Sequence, residues 1–442
     1  MFELKFRRTV KMKLNDIDIK IIQDSRGKDT LEAEFKGGKF SVIASVPSGK
    51  STGTHEAFVL EPKKATQKFG EIRNEILGKE FESQEEFDNF LIQLDGTHSA
   101  RASTEPSRMS SGQALKNNLG GNLILSLSLA FARLKAKSEK LELFDYISRQ
   151  SSVVGRKSEN WLKPIFNVIN GGAHVNSKLA EGRKNKLDFQ EFQIVPEVKD
   201  FGMALGLGQE FYKKLKEFLE NKFGKENVLL GDEAGFCAPF QNNEEAIEIL
   251  AELIAKHNYP LRIGLDVAAT QMYQVSSDKY QVDGGEYSAE KLRDFYLKLI
   301  ESYNILSIED PFYEESFEDF TILSHVIVPK GVMIITDDLT TTNPERLRTA
   351  IEKKSGNAIL IKPNQIGTLT ETLKVIKLAY ENNWQAVVSH RSGETMDDFI
   401  ADLAVSVGAW GIKAGAPAAP ERMAKYNRVL EINSKFQAPN SK

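Results

Sequence analysis

Residues 305–362 of the chain read ILSIEDPFYEESFEDFTILSHVIVPKGVMIITDDLTTTNPERLRTAIEKKSGNAILIK. This stretch contains three short apolar runs separated by segments with helical spacing. The runs are 305–309, 332–336 and 358–362. A charged residue lies at or just after the end of each run: Glu309, Asp337 and Lys362. Buried strands that alternate with helices are typical of a parallel β/α barrel, whose active site lies at the carboxyl ends of the strands. The stretch therefore predicts a barrel with charged side chains at one rim.

Similar apolar runs occur on both sides of this stretch. The full set is 162–168, 189–195, 262–267, 305–309, 332–336, 358–362, 386–389 and 410–413. The first two runs precede two long helical patterns, at 201–223 and 243–257, and the last six alternate with helices. The predicted fold class is therefore α/β, with a ββαα(βα)6 barrel of the TIM type. We assign residues 160–442 to this catalytic barrel.

The residues before the barrel have a different organisation. From 13 to 46 the pattern is strand, turn, strand, turn, strand, which predicts a three-stranded antiparallel meander. A buried helix is predicted at 119–137, where apolar positions nearly encircle the axis. Residues 12–150 are therefore predicted to form a smaller α+β domain. Because a methionine, Met12, precedes the first strand, residues 1–11 are interpreted as an N-terminal extension or as a start assigned too early.

Two polar stretches lack apolar periodicity. Residues 97–113 are rich in serine, threonine and arginine and are predicted as a surface loop. Residues 148–160 are predicted as the linker between the two domains.

Composition and charge restrict the class of protein. Hydrophobic residues make up 41% of the chain and charged residues 27%, as in globular proteins. The net charge of −4 gives no general attraction to nucleic acid or to an anionic membrane, so local cations or metals must hold any anionic ligand. No signal peptide or membrane span is predicted. The single cysteine, Cys237, excludes an intramolecular disulfide and indicates a reducing compartment, so we expect a cytoplasmic protein that needs no nucleic acid for its activity.

Charged or polar residues follow six consecutive strands of the predicted barrel. The third to fifth strands end in carboxylates, which are Asp266, Glu309 and Asp337. The sixth to eighth end in Lys362, in His390, Arg391 and Ser392, and in Lys413. Carboxylates on one rim repel one another unless a cation lies among them, and oxygen ligands favour Mg²⁺ over Zn²⁺. The basic half suits a small substrate with a carboxylate and a phosphate. One acidic residue after a strand is more often a helix cap, so the prediction depends on all six strand ends.

Two further candidates lie in glycine-rich segments. His174 follows Asn-Gly-Gly-Ala at 170–173, and Glu233 lies within Gly-Asp-Glu-Ala-Gly at 231–235. Glycine allows a backbone to approach a ligand closely. Each residue would be an ordinary loop residue on its own, and the predicted barrel is what places it near the mouth.

Longer segments identify a resemblance to a known family. The chain resembles the enolase family along nearly its whole length. The matching segments are DSRG at 24–27, VPSGKSTG at 46–53, NVINGG at 167–172, SIEDP at 307–311, DDLTTTNP at 337–344, SHRSGET at 389–395 and AKYN at 424–427. The resemblance implies reversible, Mg²⁺-dependent dehydration of 2-phospho-D-glycerate to phosphoenolpyruvate in glycolysis and gluconeogenesis. It also implies two Mg²⁺ per active site and a homodimer or higher homo-oligomer.

The resemblance also implies a role for each site residue by its position. The implied metal ligands are Asp266, Glu309 and Asp337 for one ion and Ser51 for the other. The implied catalytic residues are Lys362 as general base and Glu233 as general acid, assisted by Glu191. The implied substrate-binding residues are His174, Glu191, His390, Arg391, Ser392 and Lys413. A base must be neutral to accept a proton, and we expect Lys413, Arg391 and the metal charge to disfavour the ammonium form of Lys362.

The chain departs from the family pattern at several positions. It inserts residues at about 181–186, between His174 and Glu191. Ala234 occupies a position where enolases usually have glycine. Thr270-Gln271 replaces a usual Ser-Glu pair, and Lys50 replaces a usual small residue.

Three other interpretations remain open. Residues 44–51 (ASVPSGKS) match a relaxed phosphate-loop pattern, which would indicate an NTPase, although that motif needs a helix directly after the loop and Pro47 stiffens this one. A relative within the enolase superfamily, such as a muconate-lactonising or acid-sugar dehydrating enzyme, would share the barrel but not SHRSGET. The third interpretation is a non-catalytic role, as a surface plasminogen receptor or as an RNA-degradation scaffold. The C-terminal Lys442 suits the plasminogen-receptor role. A secondary presence at the cell surface is therefore a further expectation.

Overall fold

The computed structural model describes most of both predicted domains. The described residues are 11–50, 55–102, 116–151, 162–175, 179 and 185–437, with only the backbone at 97–102 and 436–437. Ser51, the terminal Lys442, most of the predicted 181–186 insertion and residues 1–10 of the predicted extension lie outside this set.

An antiparallel meander covered by helices forms the N-terminal domain. The strands are β1 (Met12–Lys13), β2 (Asp16–Gln23), β3 (Asp29–Gly37), β4 (Phe40–Ser45) and β5 (Glu80–Phe81). The helices are α1 (Pro62–Ile76), α2 (Gln84–Ala102), α3 (Gly121–Ser138) and α4 (Leu143–Gln150). Strands β2, β3 and β4 pair in chain order, and β1 pairs with β5. Because alternate residues of a strand share a face, Leu31, Ala33 and Phe35 of β3 are all buried in the core that includes α3.

Two predicted loop bounds are wrong. Helix α2 continues to Ala102, so the segment predicted as a loop at 97–113 begins inside a helix. Helix α4 continues to Gln150, past the start of the linker predicted at 148–160. The last turns of both helices contain few apolar residues, so the sequence shows no apolar periodicity there. Residues 103–115 and 152–161 are outside the described part of the chain.

Eight strands close into the barrel. They are β6 (Lys163–Asn170), β7 (Glu191–Pro196), β10 (Leu261–Asp266), β14 (Ile305–Glu309), β15 (Met333–Thr336), β16 (Ala358–Ile361), β17 (Gln385–Ser389) and β18 (Gly411–Lys413). They pair in this order, and β18 pairs with β6 to complete the ring. Two short strands, β8 (Leu229–Leu230) and β9 (Phe236–Cys237), extend the sheet from β6, and β11 (Tyr273–Gln274), β12 (Lys279–Val282) and β13 (Gly285–Tyr287) form a separate small sheet.

Helices surround the ring. They are α5 (Phe201–Phe223), α6 (Asn243–His257), α7 (Ala289–Ser302), α8 (Phe317–Ile327), α9 (Pro344–Lys353), α10 (Pro363–Ile366), α11 (Leu369–Glu381), α12 (Phe399–Ser406) and α13 (Pro420–Gln437). Inside the ring, branched side chains such as Ile335, Leu360 and Val387 form a separate buried cluster, which makes the barrel a packed core. The predicted α/β class and ββαα(βα)6 barrel are confirmed. Among the described helices, none is both long enough and apolar enough to cross a membrane.

Strand β7 runs opposite to the rest of the ring. It is antiparallel to both β6 and β10, whereas the other neighbouring pairs are parallel. Its first residue, Glu191, therefore lies beside Asn170 and Asp266, the last residues of β6 and β10. The reversal places the beginning of β7 at the rim where the parallel strands end.

An ion pair joins the two domains. Arg133 of α3 donates from Nη2 to Asp397 Oδ1 at 3.0 Å and to Asp398 Oδ1 at 2.9 Å. The Asp397 side chain is only 9% exposed and also accepts the Ser45 backbone N–H at 2.9 Å. A buried carboxylate that loses its cation is strongly destabilising, so this contact stabilises the joint.

We therefore expect Arg133→Ala to lower the free energy of unfolding by about 3 kcal/mol, because it leaves the Asp397 charge buried without its guanidinium. Urea denaturation followed by circular dichroism measures this. Lys374→Ala is the matched control: Lys374 also joins the two domains, through Glu85 at 2.8 Å, but both side chains are about 60% exposed, and the expected loss is within about 0.5 kcal/mol. Equal losses in the two variants would contradict the prediction.

Candidate active site

The strand ends surround a pocket at the mouth of the barrel. Its empty volume is about 510 Å³. The predicted residues that line it are His174, Glu191, Glu233, Asp266, Asp337, Lys362, His390, Arg391, Ser392 and Lys413. Glu309 contacts one of these residues, Lys413, and Ser51 is outside the described residues. The structure therefore brings the described members of the predicted set to one place.

The ammonium group of Lys413 lies among three carboxylates. Its Nζ is 2.9 Å from Asp266 Oδ2, 2.8 Å from Glu309 Oε2 and 3.0 Å from Glu191 Oε2. All four side chains are almost completely buried. Burial opposes the charge on Lys413, but Asp266, Glu191 and Glu309 outweigh it and hold the pKa of Lys413 well above its usual value. Lys413 is therefore a permanent cation in this acidic half of the mouth.

A second ion pair lies beside this cluster. The Lys362 ammonium contacts Asp337 Oδ2, and Gln365 Nε2 donates to the other oxygen at 2.9 Å. Burial opposes the charge on Lys362, but Asp337 outweighs it and raises the pKa of Lys362, whereas Arg391 and Lys413 act in the opposite direction. Arg391 and Lys413 therefore disfavour the ammonium form as expected, but Asp337, which was not considered as a partner of Lys362, outweighs them here.

The acidic residues fit a hard divalent cation. Glu309, Asp310 and Asp337 each offer a carboxylate oxygen, and these oxygens lie within 4.8 Å of one another. Burial, followed by the charge of Asp266, raises the pKa of Glu309 well above its usual value, as expected for carboxylates crowded together without a second cation. Oxygen donors without sulfur match the ligand preference of Mg²⁺.

Asp310 was not predicted as a site residue. Its Oδ1 accepts the backbone N–H of Asp337 at 3.0 Å, and its Oδ2 accepts that of Asp338 at 2.6 Å. The carboxylate thus ties the end of β14 to the turn that carries Asp337. Its position directly after Glu309 was the available signal, but sequence alone does not show that it faces the backbone of the next strand.

A second acidic pair lies across the pocket. One carboxylate oxygen each of Glu191 and Glu233 and a ring nitrogen of His174 lie within 4.8 Å of one another. Glu233 Oε2 accepts from Asn167 Nδ2 at 2.9 Å and lies 3.2 Å from His390 Nε2. Such contacts favour the ionised form of a carboxyl group.

The surroundings shift the pKa values of the two carboxyl groups in opposite directions. Burial, followed by the neighbouring Glu233 carboxylate, raises the pKa of Glu191 well above its usual value. Burial also lowers the pKa of His390 to about 4, so this ring is neutral near pH 7. Burial opposes the charge on Glu233, the expected general acid, but His390 and His174 outweigh it and hold the pKa of Glu233 well below its usual value.

Comparison with known proteins agrees with this geometry. A family model described as "Enolase, N-terminal domain" matches residues 14–147, and one described as "Enolase, C-terminal TIM barrel domain" matches residues 161–440. The chain belongs to the enolase family. The Methanocaldococcus jannaschii enolase is 40% identical over 444 residues, with 96% of each chain covered. The Methanococcus maripaludis enolase is 39% identical over 440 residues (96% and 95% covered), and Dictyostelium discoideum enolase B is 38% identical over 451 residues (96% of each).

Membership of the enolase family confirms the resemblance seen in the sequence and the expected enzyme class, a carbon–oxygen lyase. Together with the buried carboxylates it also indicates a divalent metal site. The phosphate-loop interpretation is not favoured, because the first helix among the described residues after the 44–51 segment is α1, which begins only at Pro62. Lys50 of that segment instead contacts Asp232, with Nζ 2.7 Å from Oδ2.

Two partners of the predicted basic residues come from distant parts of the chain. Arg391 Nη1 donates to Glu56 Oε2 at 2.7 Å, and both side chains are 5% exposed. Arg422 Nη1 lies 2.6 Å from His390 Nδ1, and its Nη2 donates to the carbonyl oxygen of Ser392 at 2.7 Å. Glu56 and Arg422 hold the segment of the enolase SHRSGET match in place, and no spacing in the sequence indicates either contact.

Ala234, the residue at the usual glycine position of enolases, has a left-handed backbone with φ of 62°. A side chain in this conformation costs about 1–2 kcal/mol. Tyr212 Oη donates to the Ala234 carbonyl at 2.6 Å, which helps to hold the turn despite the strain.

We expect Ala234→Gly to raise the free energy of unfolding by about 1 kcal/mol, because glycine adopts this conformation without strain and loses only part of the gain to its greater freedom when unfolded. Ala251→Gly, inside the regular helix α6, is the control and should lower the free energy of unfolding by about 1 kcal/mol. Thermal denaturation of both variants measures the sign. A destabilised Ala234→Gly protein would show that the turn is not strained.

Proposed function

We propose that the protein catalyses the reversible, Mg²⁺-dependent dehydration of 2-phospho-D-glycerate to phosphoenolpyruvate in glycolysis and gluconeogenesis. The placement of Lys362 and Glu191 carries this proposal. Lys362 follows β16 and Glu191 begins β7, which are four strands apart in a ring of eight. A basic group and a carboxyl group with a raised pKa thus lie across one pocket from each other. Removal of a proton and departure of hydroxide from adjacent carbons need such a pair on the two sides of the substrate.

Basic and polar side chains support binding of a small, multiply charged anion. Arg391, Lys413 and Ser392 line the pocket, and the first two are fully buried cations. Buried cations bind phosphate or carboxylate oxygens more strongly than exposed ones. Arg391 is held by Glu56 in this structure, so a phosphate bound there shares the guanidinium with that carboxylate or replaces it.

Two Mg²⁺ ions are part of the proposal. Asp266, Glu309 and Asp337 would hold one ion, and Ser51 would contribute to the second. When bound, the ions stabilise the negative charge that develops on the substrate carboxylate as the neighbouring C–H proton leaves. The chain's own contribution is a set of buried oxygen ligands, among which burial and the charge of Asp266 raise the pKa of Glu309.

Lys362 is the proposed general base. It accepts a proton only in its neutral form, and Asp337 is the neighbour that favours the ammonium. Any cation that engages the Asp337 carboxylate weakens that interaction, and the charges of Arg391 and Lys413 then favour neutral Lys362. The protonation of the base is thus linked to the charge of the acidic cluster.

Glu191 and Glu233 are the proposed acid, acting as a pair that shares one proton. The raised pKa of Glu191 keeps that proton in place at neutral pH. Glu191 would pass this proton to Glu233 as Glu233 donates one to the leaving hydroxyl group, and His174 and His390, both buried, would orient the pair. A carboxyl group that stays protonated at neutral pH suits general acid catalysis.

A coupled assay tests the reaction. Purified protein should form phosphoenolpyruvate from 2-phospho-D-glycerate with Mg²⁺, lose this activity in excess chelator and regain it when Mg²⁺ is restored, because the buried carboxylates need a divalent cation. Activity that survives in excess chelator would overturn the metal assignment. Turnover of an acid sugar without phosphate, in place of 2-phospho-D-glycerate, would favour another member of the superfamily.

Substitution of the base and the acid should separate the two halves of the reaction. Lys362→Ala should abolish exchange of the C2 proton with solvent, whereas Glu233→Gln should lower dehydration by about 100-fold or more and retain measurable exchange. Proton exchange is followed by NMR in deuterated water. Lys298→Ala, which removes an exposed ion pair on α7, is the control and should change neither rate. Equal loss of exchange and dehydration in Glu233→Gln would contradict the separate roles of Lys362 as base and Glu233 as acid.

We also propose that the protein is a cytoplasmic homodimer or higher homo-oligomer. A groove with an empty volume of about 1160 Å³ lies between the N-terminal sheet and the barrel helices. Two exposed apolar residues, Ile43 and Met396, line it. Acidic Glu32 and basic Lys137 are both in its lining, which suits the self-complementary surface of a symmetric dimer. A monomer in sedimentation equilibrium would contradict this assignment. The buried thiol of Cys237 fits a reducing compartment.

A further inference from the structure

We propose that Lys50 is a positioning residue for Glu233, and that its ion pair with Asp232 fastens the Glu233 turn to the N-terminal domain. The inference rests on the proposed function, in which Glu233 delivers the proton to the leaving group. It assigns a role to a lysine that matches a phosphate-loop pattern in the sequence but contacts a carboxylate in the structure. Lys50 also lines the pocket, so its charge lies at the site itself.

The backbone just before Lys50 is anchored to the barrel rim. Ser48 N donates to the Gly393 carbonyl at 2.8 Å, and Gly393 N donates to the Ser48 carbonyl at 2.9 Å. Arg26 Nη2 donates to Ser48 Oγ at 2.6 Å, and its Nη1 donates to Ser392 Oγ at 3.2 Å. The backbone of Lys50 therefore lies close to a fixed position on the rim, two residues after Ser48, whose backbone pairs with Gly393 of the barrel.

From this point the Lys50 side chain reaches the turn that carries Glu233. Its Nζ lies 2.7 Å from Asp232 Oδ2, and the two side chains are 35% and 25% exposed. Asp232 directly precedes Glu233, so a displacement of its carboxylate is passed through one peptide unit to the proposed acid. The contact connects the rim near β17 with the segment between β8 and β9.

The Glu233 turn is short and strained. Gly231 N donates to the Gly235 carbonyl at 2.8 Å, and Ala234 adopts a left-handed backbone. The barrel holds the backbone of the turn: Arg422 Nη2 donates to the Asp232 carbonyl at 2.9 Å, and Ala416 N donates to the Glu233 carbonyl at 3.0 Å. Lys50 adds a contact to a side chain of this turn from the other domain. A strained conformation persists only where the surrounding contacts hold it, so each of these contacts contributes to the position of the turn.

Position matters more here than the small energy of a partly exposed ion pair. Such pairs contribute about 1 kcal/mol or less to stability. Displacement of a catalytic group by about 1 Å can nevertheless lower a rate by about 100-fold. Loss of Lys50 should therefore change the dehydration step more than it changes the stability of the protein.

A double-mutant cycle on the full-length enzyme tests the proposal. The variants are Lys50→Met, which keeps the side-chain length, Asp232→Asn, which keeps the shape, their combination, and the exchanged pair Lys50→Glu with Asp232→Lys. The turnover number and KM for 2-phospho-D-glycerate are measured with Mg²⁺, and C2 proton exchange is measured separately. The control is Lys20→Met, since Lys20 forms an ion pair with Glu34 of the same 2.7 Å length, with exposures of 50% and 22%, on the N-terminal sheet.

We expect Lys50→Met and Asp232→Asn each to lower the turnover number about tenfold, with KM and proton exchange within about twofold of the unmodified enzyme. The combined variant should be no slower than either single variant, because both remove one contact, and the exchanged pair should recover most of the rate. Lys20→Met should behave as the unmodified enzyme.

Other results would overturn the proposal. A large rise in KM for Lys50→Met that Asp232→Asn does not reproduce would mean that Lys50 binds the substrate directly. Rates within twofold for all variants would make the pair an ordinary surface contact. Both results require that the unmodified enzyme dehydrates 2-phospho-D-glycerate, so failure of the proposed function is seen first and separately.

Discussion

The balance of buried charge at the barrel mouth is the constraint on which the site depends. Three carboxylates surround the ammonium group of Lys413, and Asp337 holds Lys362 beside them. In a low-dielectric interior, none of these groups is stable without its partners. The order of the strands brings the partners together, because β10 and β14 supply acids and β18 supplies the lysine. The fold and the charge pattern therefore depend on each other. The ring of strands fixes the positions of the side chains, and the ion pairs between them offset the cost of burying their charges.

The reversed strand β7 adds the acid pair to this rim. A strand parallel to its neighbours would deliver its last residue to the mouth, but β7 delivers its first residue, Glu191. Glu191 then shares Lys413 with Asp266 and approaches Glu233. The Glu191 carboxylate thus belongs both to the cluster around Lys413 and to the acidic pair with Glu233. Its raised pKa follows from this position, since it is buried and close to the Glu233 carboxylate.

The sequence was sufficient to predict the ring of strands but not the contacts that the site residues make. Apolar runs bounded by helices locate the eight strands, and the charged residue after a run locates Asp266, Glu309 or Lys413, because both signals are local. The partners of those residues are not local: Glu56 reaches Arg391 from another domain, and Arg422 reaches His390 from the last helix. The contact between Lys362 and Asp337 was missed for the same reason, since the two residues are 25 positions apart along the chain. Helix ends that face water, as in α4, leave no apolar signal at all.

The bridge between Ser48 and Gly393 has a consequence for how this architecture can be rearranged. A barrel is often treated as a self-sufficient module to which other domains are appended. Here a strand-like contact from the smaller domain reaches the segment that carries Arg391 and Ser392, and Glu56 supplies the counter-ion of a residue at the centre of the mouth. The smaller domain is therefore built into the pocket wall. Recombination or transplantation of the barrel alone would leave an incomplete pocket, so the two parts are constrained to be inherited as a single unit.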